Sequence, residues 1–233
     1  MNYSKFAVIG VGRFGASIAR RLAKKGAQVF AFDPNEEKIN NIKDDVAFAV
    51  TLDATDLRAL QSQNLEAMDA AVVAIGENFE ATILSCVHLM EIGVKRIIAR
   101  ASGEQQHLIL KKIGIHEILT PENEVADAVG EKLLNPNIIS FLSLPDDHEI
   151  AEISAPKGCV GRTVDSMGFR NKYDMTLITI KRVFEVTKNG EDSTEQHIIG
   201  VPKNEMEIKE KDTLVVFGAA KSVERFIEIN ESL

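Results

Sequence analysis

The chain has 233 residues, of which 45% are hydrophobic and 6% aromatic, with no tryptophan; this suffices for packed cores and excludes a disordered chain. Its formal net charge is −8 and no run of lysine or arginine interrupts it, which excludes a general nucleic-acid binder, because such a protein needs a basic surface to displace counterions. No apolar stretch approaches the ~20 residues of a membrane span, and the start, Met1-Asn2-Tyr3-Ser4-Lys5, runs into a strand and not a signal peptide, so the expectation is a soluble, cytoplasmic protein with Cys86 and Cys159 as reduced, packed thiols.

Lys5 to Ile9 is a short apolar run ending in glycine and reads as a first strand. Phe14 to Lys25 carries apolar residues at helical spacing and stops at Gly26. Val29 to Phe32 is a second strand ending on Asp33, and Pro34 opens a helix to about Asn41. Ala47 to Val50 is a third strand, followed by a short helix from Asp56 to Gln61. Ala70 to Ile75 is an uninterrupted apolar strand, and Asn78 to Ile92 a long helix ending at Gly93. Arg96 to Ala99 is a fifth strand, Glu104 to Ile113 a helix stopped by Gly114, and Glu117 to Leu119 a sixth strand. Thr120 and Pro121 then read as N-cap and first position of a helix to about Leu134. Strict alternation of strand and helix implies a Rossmann-type, doubly wound parallel sheet over residues 1–135.

After Asn135-Pro136-Asn137 the rhythm changes. Strands are expected at Ile150–Ile153, Thr176–Lys181, Gln196–Ile199 and Thr213–Phe217. Helices are expected around Thr163–Phe169 and Lys221–Asn230, and Lys188–Thr194 reads as a hairpin loop. This is a small α+β domain over residues 140–233, with the boundary near 135–147.

The turn Gly10-Val11-Gly12-Arg13-Phe14-Gly15 is a GxGxxG in the right context: it follows a strand, opens a helix, and is followed by an acid, Asp33, at the end of the next strand. Gly10 permits the tight turn, Gly12 lets backbone N–H groups reach a pyrophosphate, and Gly15 lets helix and strand pack closely. Asp33 is expected to accept from ribose hydroxyls. Arg13 stands where a helix dipole disfavours a cation, so it reads either as a phosphate ligand or as a solvated arginine. Asp53-Ala54-Thr55 follows the third strand and serves either the adenosine end of the crevice or the start of the next helix. Ile75-Gly76 and Arg100 end the fourth and fifth strands on the same edge. Glu122 serves either the dipole of the last helix or a nucleotide phosphate through a bound cation, since bare carboxylate and phosphate repel.

Catalytic groups are missing from this inventory. The histidines His88, His107, His116, His148 and His197 have no metal-ligand spacing, and there is no GxSxG motif or Walker A loop. A nucleotide site without chemistry points to a sensor and not to an enzyme.

These residues resemble the bacterial regulators of potassium conductance, the gating subunits of Ktr- and Trk-type potassium uptake systems. The resemblance rests on Phe6 to Gly15, Asp33 to Lys38, Asp53 to Thr55, Ala74 to Gly76, Leu110 to Gly114 and Pro121-Glu122, and in the second half on Gly161 to Val164, Thr176 to Arg182, Pro202 and Asp212 to Gly218. It implies a cytoplasmic subunit, peripheral at the membrane, that binds a membrane-embedded K+ transporter and assembles through homodimers into an octameric ring. ATP and ADP would compete for the Rossmann site and favour different ring shapes. Arg13 would reach the γ-phosphate, Arg100 would contact ligand, and Glu122 would help hold Mg2+ or another cation. The family often has Gly where this chain has Leu52, and often lysine at Arg100. NAD(H), linked to the Trk branch, is the alternative ligand, as a redox sensor or in an NAD-dependent oxidoreductase. In the second domain, Leu177-Ile-Thr-Ile180 with Arg170 and Arg182 reads either as a cyclic di-AMP site between two subunits or as an ordinary dimer core.

Overall fold

A computed structural model describes residues 4–188 and 191–232. The chain forms two compact units that divide between Glu124 and Val125.

The first unit alternates strand and helix throughout: β1 (Lys5–Ile9), α1 (Arg13–Lys24), β2 (Gln28–Asp33), α2 (Glu36–Asn40), β3 (Phe48–Thr51), α3 (Leu57–Gln61), β4 (Ala70–Val73), α4 (Phe79–Ile92), β5 (Ile97–Arg100), α5 (Glu104–Lys112), β6 (Glu117–Leu119) and the start of α6 (Pro121–Leu134). The sheet runs β3-β2-β1-β4-β5-β6, with every pairing parallel. That order is the doubly wound one, because β1 and β4 are neighbours whose connections depart in opposite directions. Strands β1, β2 and β3 feed two cores, since successive side chains point to opposite faces. From β1, Ala7 and Ile9 join Phe32, Leu60, Leu89 and Leu110 on one side. Val8 joins Ala19, Val29, Ala31 and Ile42 on the other.

Helix ends follow local chemistry. Asn35 caps α2 by accepting from the N–H groups of Glu37 and Lys38, so that helix starts at Glu36 and not at Pro34 as expected; a side-chain acceptor there outcompetes proline for the first turn. Asp56 and Asn78 cap α3 and α4 in the same way. Gly93, at φ +90°, closes α4.

The second unit takes the rest of α6, then β7 (Ile138–Leu144), β8 (His148–Ser154), α7 (Val164–Met167), α8 (Phe169–Tyr173), β9 (Met175–Lys188), β10 (Glu191–Ile198), β11 (Thr213–Ala219) and α9 (Ala220–Glu231). Its sheet, β10-β9-β11-β8-β7, is antiparallel. Ile153, Ile180, Leu214, Val216 and Phe226 build one core between the sheet and its helices. Strand β7 lies in the segment where the domain boundary, and no strand, was expected. It is an edge strand whose side chains are mostly exposed, so it lacks the apolar alternation that marks a half-buried strand. The expected helix over Thr163–Phe169 is two short helices broken at Gly168, φ +64°. The expected loop Lys188–Thr194 is shorter, because Asp192, Ser193 and Thr194 pair with Thr187, Val186 and Glu185; its tip, residues 189–190, lies outside the described residues.

An internal ion pair ties β9 to the turn before β11. Arg182 donates from Nε and Nη2 to both oxygens of Asp212 at 2.8 and 2.6 Å, and also to the Glu207 carbonyl. Asp212, 1% exposed in its side chain, also accepts from the Lys209 N–H. The pair holds the Arg182 guanidinium above its ordinary pKa, chiefly through the Asp212 hydrogen bonds. Both cysteines are buried free thiols, pushed up to about 12 by burial. Among the described residues no helix is long and apolar enough to cross a membrane.

Removing one partner of a buried ion pair strands the other. Asp212→Ala is therefore expected to cost about 3 kcal/mol in urea unfolding, with the lost hydrogen-exchange protection confined to the second unit.

Candidate functional site

The site begins with how closely α1 approaches β1. A Cβ built on Gly15 would overlap the carbonyl oxygen of Gly10 and lie 3.1 Å from the Ala74 Cβ. Gly10 holds φ +86°, and its N–H donates to the Phe32 carbonyl at 2.8 Å. Its own Cβ would press on the Ala74–Ile75 backbone, 3.1 Å from the Ile75 nitrogen. Gly10 and Gly15 are thus demanded by packing. Gly12 is not: φ is −63° and nothing lies within 4 Å of an added Cβ. Open space beside a backbone free to carry a side chain is the pattern expected where a ligand needs the approach.

Gly12 caps α1 without a side chain, and no acid occupies the helix's first turn. The first-turn N–H groups and the helix dipole therefore present an anion site at this end. Arg13 is the first residue of α1, exposed, and has no hydrogen bond or ion pair with the described residues. Phe14 follows, half-buried.

Asp33, only 4% exposed, latches the turn. One carboxylate oxygen accepts from the Val11 N–H and the other from the Asn35 N–H, each at 2.9 Å. The Lys38 ammonium lies 3.6 Å away. This tie from β2 to the glycine turn was not expected from the sequence, which assigned Asp33 to ribose alone.

At the end of β3, Asp53 accepts from the N–H and hydroxyl of Thr55 at 2.9 and 2.8 Å. The Thr55 N–H, then its hydroxyl, hold the Asp53 carboxyl below the usual carboxylate range. What this turn adds to stability is complete above the ordinary aspartate pKa and is lost only as pH falls through the lowered value. Ala54 is buried, and its carbonyl lies 3.3 Å from His88 Nδ1. These three residues form their own turn against α4, with no hydrogen bond to the glycine turn.

Arg100, from the end of β5, joins the rest. A Cβ on Gly76 would stand 2.7 Å from its Nη1, and its guanidinium carbon lies 5.4 Å from the Phe14 ring centroid, within cation–π range. Its Nη2 donates to Glu122 Oε1, in the first turn of α6. Its buried Nε has no partner among the described residues. Phe14 from α1, Gly76 from the loop after β4 (which ends at Val73 and not at Ile75 as expected), Arg100 from β5 and Glu122 from α6 thus meet at one place.

Two cations escaped the sequence reading. A cavity of about 580 Å³ runs from Gly12 and Arg13 between α1 and α2, past Arg20 and Lys38. The signal was present, since Arg13 and Arg20 are seven residues apart and share a helix face. Arg20 is already paired with Asp45 at 2.6 Å. Among the described residues, no group of three or more His, Cys, Asp or Glu is placed to hold a metal ion.

The TrkA-N domain family matches residues 6–121. The Ktr system potassium uptake protein C of Bacillus subtilis (strain 168) is 34% identical over 222 residues, covering 95% of each chain. The A protein of the same organism is 32% identical, again over 95% of both chains. In fold, the chain is similar to the structure described as the GsuK channel bound to NAD, with a TM-score of 0.63 at 15% identity; it spans 99% of this chain but 40% of that longer one.

The two glycine classes separate by experiment. Gly15→Ala is expected to cost about 2–3 kcal/mol in urea denaturation, the scale of overpacking, while Gly12→Ala stays within about 0.5 kcal/mol of the parent. A loss at Gly12 as large as that at Gly15 would assign both to packing.

Proposed function

Because the chain belongs to the Ktr potassium uptake family, we propose that it is a nucleotide-binding subunit that regulates a membrane-embedded K+ transporter from the cytoplasmic face, without enzymatic turnover. The reading includes homodimers assembled into an octameric ring whose shape follows the bound ligand. ATP and ADP are the proposed ligands. The observation that carries this choice is Arg13, an unpaired cation at the head of a helix whose dipole disfavours it. An anion at that helix end reverses the balance, and a terminal phosphate is the anion an adenine nucleotide brings there.

In this reading the α1 N–H groups, uncovered by Gly12, take the inner phosphates and Arg13 takes the γ-phosphate. Asp33 keeps the glycine turn in register through Val11 and presents its remaining acceptor capacity to ribose. Asp53, Ala54 and Thr55 bound the adenosine end, and Ile75 and Gly76 allow close approach at β4. Arg100 and Glu122 stand at the phosphate end. Glu122 is the carboxylate for a divalent cation; the described residues near it supply no complete cage, which suits Mg2+, an ion that takes one or two carboxylates and completes its shell with phosphate oxygens and water. When bound, such a cation neutralises charge between Glu122 and phosphate. The ligand moves the ring only by its differential affinity for the two shapes, and about 1.4 kcal/mol per site makes a tenfold shift.

NAD(H) is the second reading, favoured by Asp33: an acid at the end of the second strand is the ribose partner of dinucleotide folds. A cyclic di-AMP site in the second unit would have to rely on Arg170, because Arg182, the other expected cation, is committed to Asp212.

Arg13→Ala is expected to weaken ATP binding by about tenfold or more, the scale of a charge-assisted contact, and ADP by less than about threefold. Calorimetric titration of both ligands checks this, and equal losses would remove Arg13 from the γ-phosphate. The same titrations with NAD+ and NADH as competitors decide the ligand; displacement of ATP by NADH at lower concentration than by ADP would favour the second reading.

A further inference from the structure

Arg100 has a divided environment. Its side chain is 19% exposed. On its inner sides it meets fixed groups, the Gly76 backbone and the Phe14 ring. Among the described residues its charged partner is Glu122, whose side chain is 53% exposed. Its Nε is buried and has no hydrogen-bond partner among the described residues. A guanidinium so placed is largely enclosed but incompletely satisfied. The carboxylate that neutralises it comes from a wet helix end, where an ion pair is weak and exchangeable.

The displaced carboxylate also has somewhere to go. Glu122 and Glu124 both lie in the first turn of α6, where the helix dipole favours negative charge whether or not Arg100 is engaged. A phosphate offers the guanidinium more acceptor oxygens than one carboxylate oxygen does, in a geometry suited to its planar fork.

We propose that Glu122 is an internal counter-ion that competes with ligand phosphate for Arg100. A nucleotide phosphate replaces the carboxylate on the guanidinium, and the released Glu122 then carries an uncompensated charge that a divalent cation satisfies. The exchange makes Glu122 a specificity-determining residue: anions too weak to displace it do not gain Arg100. The exchange involves no covalent step. The inference rests on the nucleotide reading above.

A double-mutant cycle on the full chain tests it. ATP and ADP are titrated calorimetrically, in chelator, against the parent, Glu122→Gln, Arg100→Gln and the double variant, with thermal melts to verify folding. Glu122→Gln is expected to tighten metal-free ATP by roughly three- to tenfold, the range for losing a partly screened competitor of a charged group. In the Arg100→Gln background the same change is expected to have less than about 1.5-fold effect, because the contested cation is gone. If Arg100→Gln does not fold, Arg100→Lys serves as the background and the gain is expected to shrink, since lysine lacks the fork. An equal gain in both backgrounds would mean simple charge repulsion and overturns the exchange. So does metal-free binding that Glu122→Gln leaves unchanged or weakens. A parent chain that binds neither nucleotide overturns the nucleotide reading, and the exchange with it.

Discussion

The contact between α1 and β1 governs the first unit. Two glycines, Gly10 and Gly15, let the helix begin almost against the backbone it has just left, with no room for a Cβ on Gly15. That closeness aims the α1 N-terminus at the crevice between β1 and β4, where the order of the strands reverses. It also places Phe14 under the Arg100 guanidinium. Were the helix set further out by one methyl group, the dipole, the uncapped N–H groups and the Phe14 platform would all move together. Asp33 reinforces the arrangement from β2, spending two charge-assisted hydrogen bonds on the backbone of this edge.

Around that fixed turn the structure places two arginines in opposite conditions. Arg13 is exposed and unpartnered among the described residues, while Arg100 is enclosed and already neutralised by Glu122. In the proposed reading, an incoming anion would meet no competitor at the first and would have to replace one at the second. A site with both kinds of cation would then grade ligands by what they carry at their far end.

The second unit stands on its own core and its own ion pair. Asp212 is almost fully enclosed, accepting from Arg182 and from the Lys209 backbone. Its neighbour Thr213 starts β11, the central strand that joins β8 to β9. The pair therefore sets where that strand begins. An arginine that reads as a ligand-binding candidate in the sequence is, in the fold, a fastener.

Most of the first unit was legible in the sequence. Fully buried parallel strands leave continuous apolar runs such as Ala70 to Val73, and helix stops such as Gly93 carry local signals that need no partner. The GxGxxG turn, its strand before and its acid after were likewise determined by residues close in the chain, as was the parallel sheet that follows from alternation. The second unit was less legible where β7 forms an exposed edge, because an edge strand owes its existence to the ladder beside it and not to a pattern of its own. At the candidate site, the sequence could nominate Arg100, Glu122, Phe14 and Gly76 singly. That they form one cluster, that Asp33 holds the turn through Val11, and that Arg182 belongs to Asp212 were decided by tertiary structure alone. Each is an interaction between groups far apart in the chain, whose distance is set by how the sheet stacks its strand ends and by nothing written in either residue's neighbourhood.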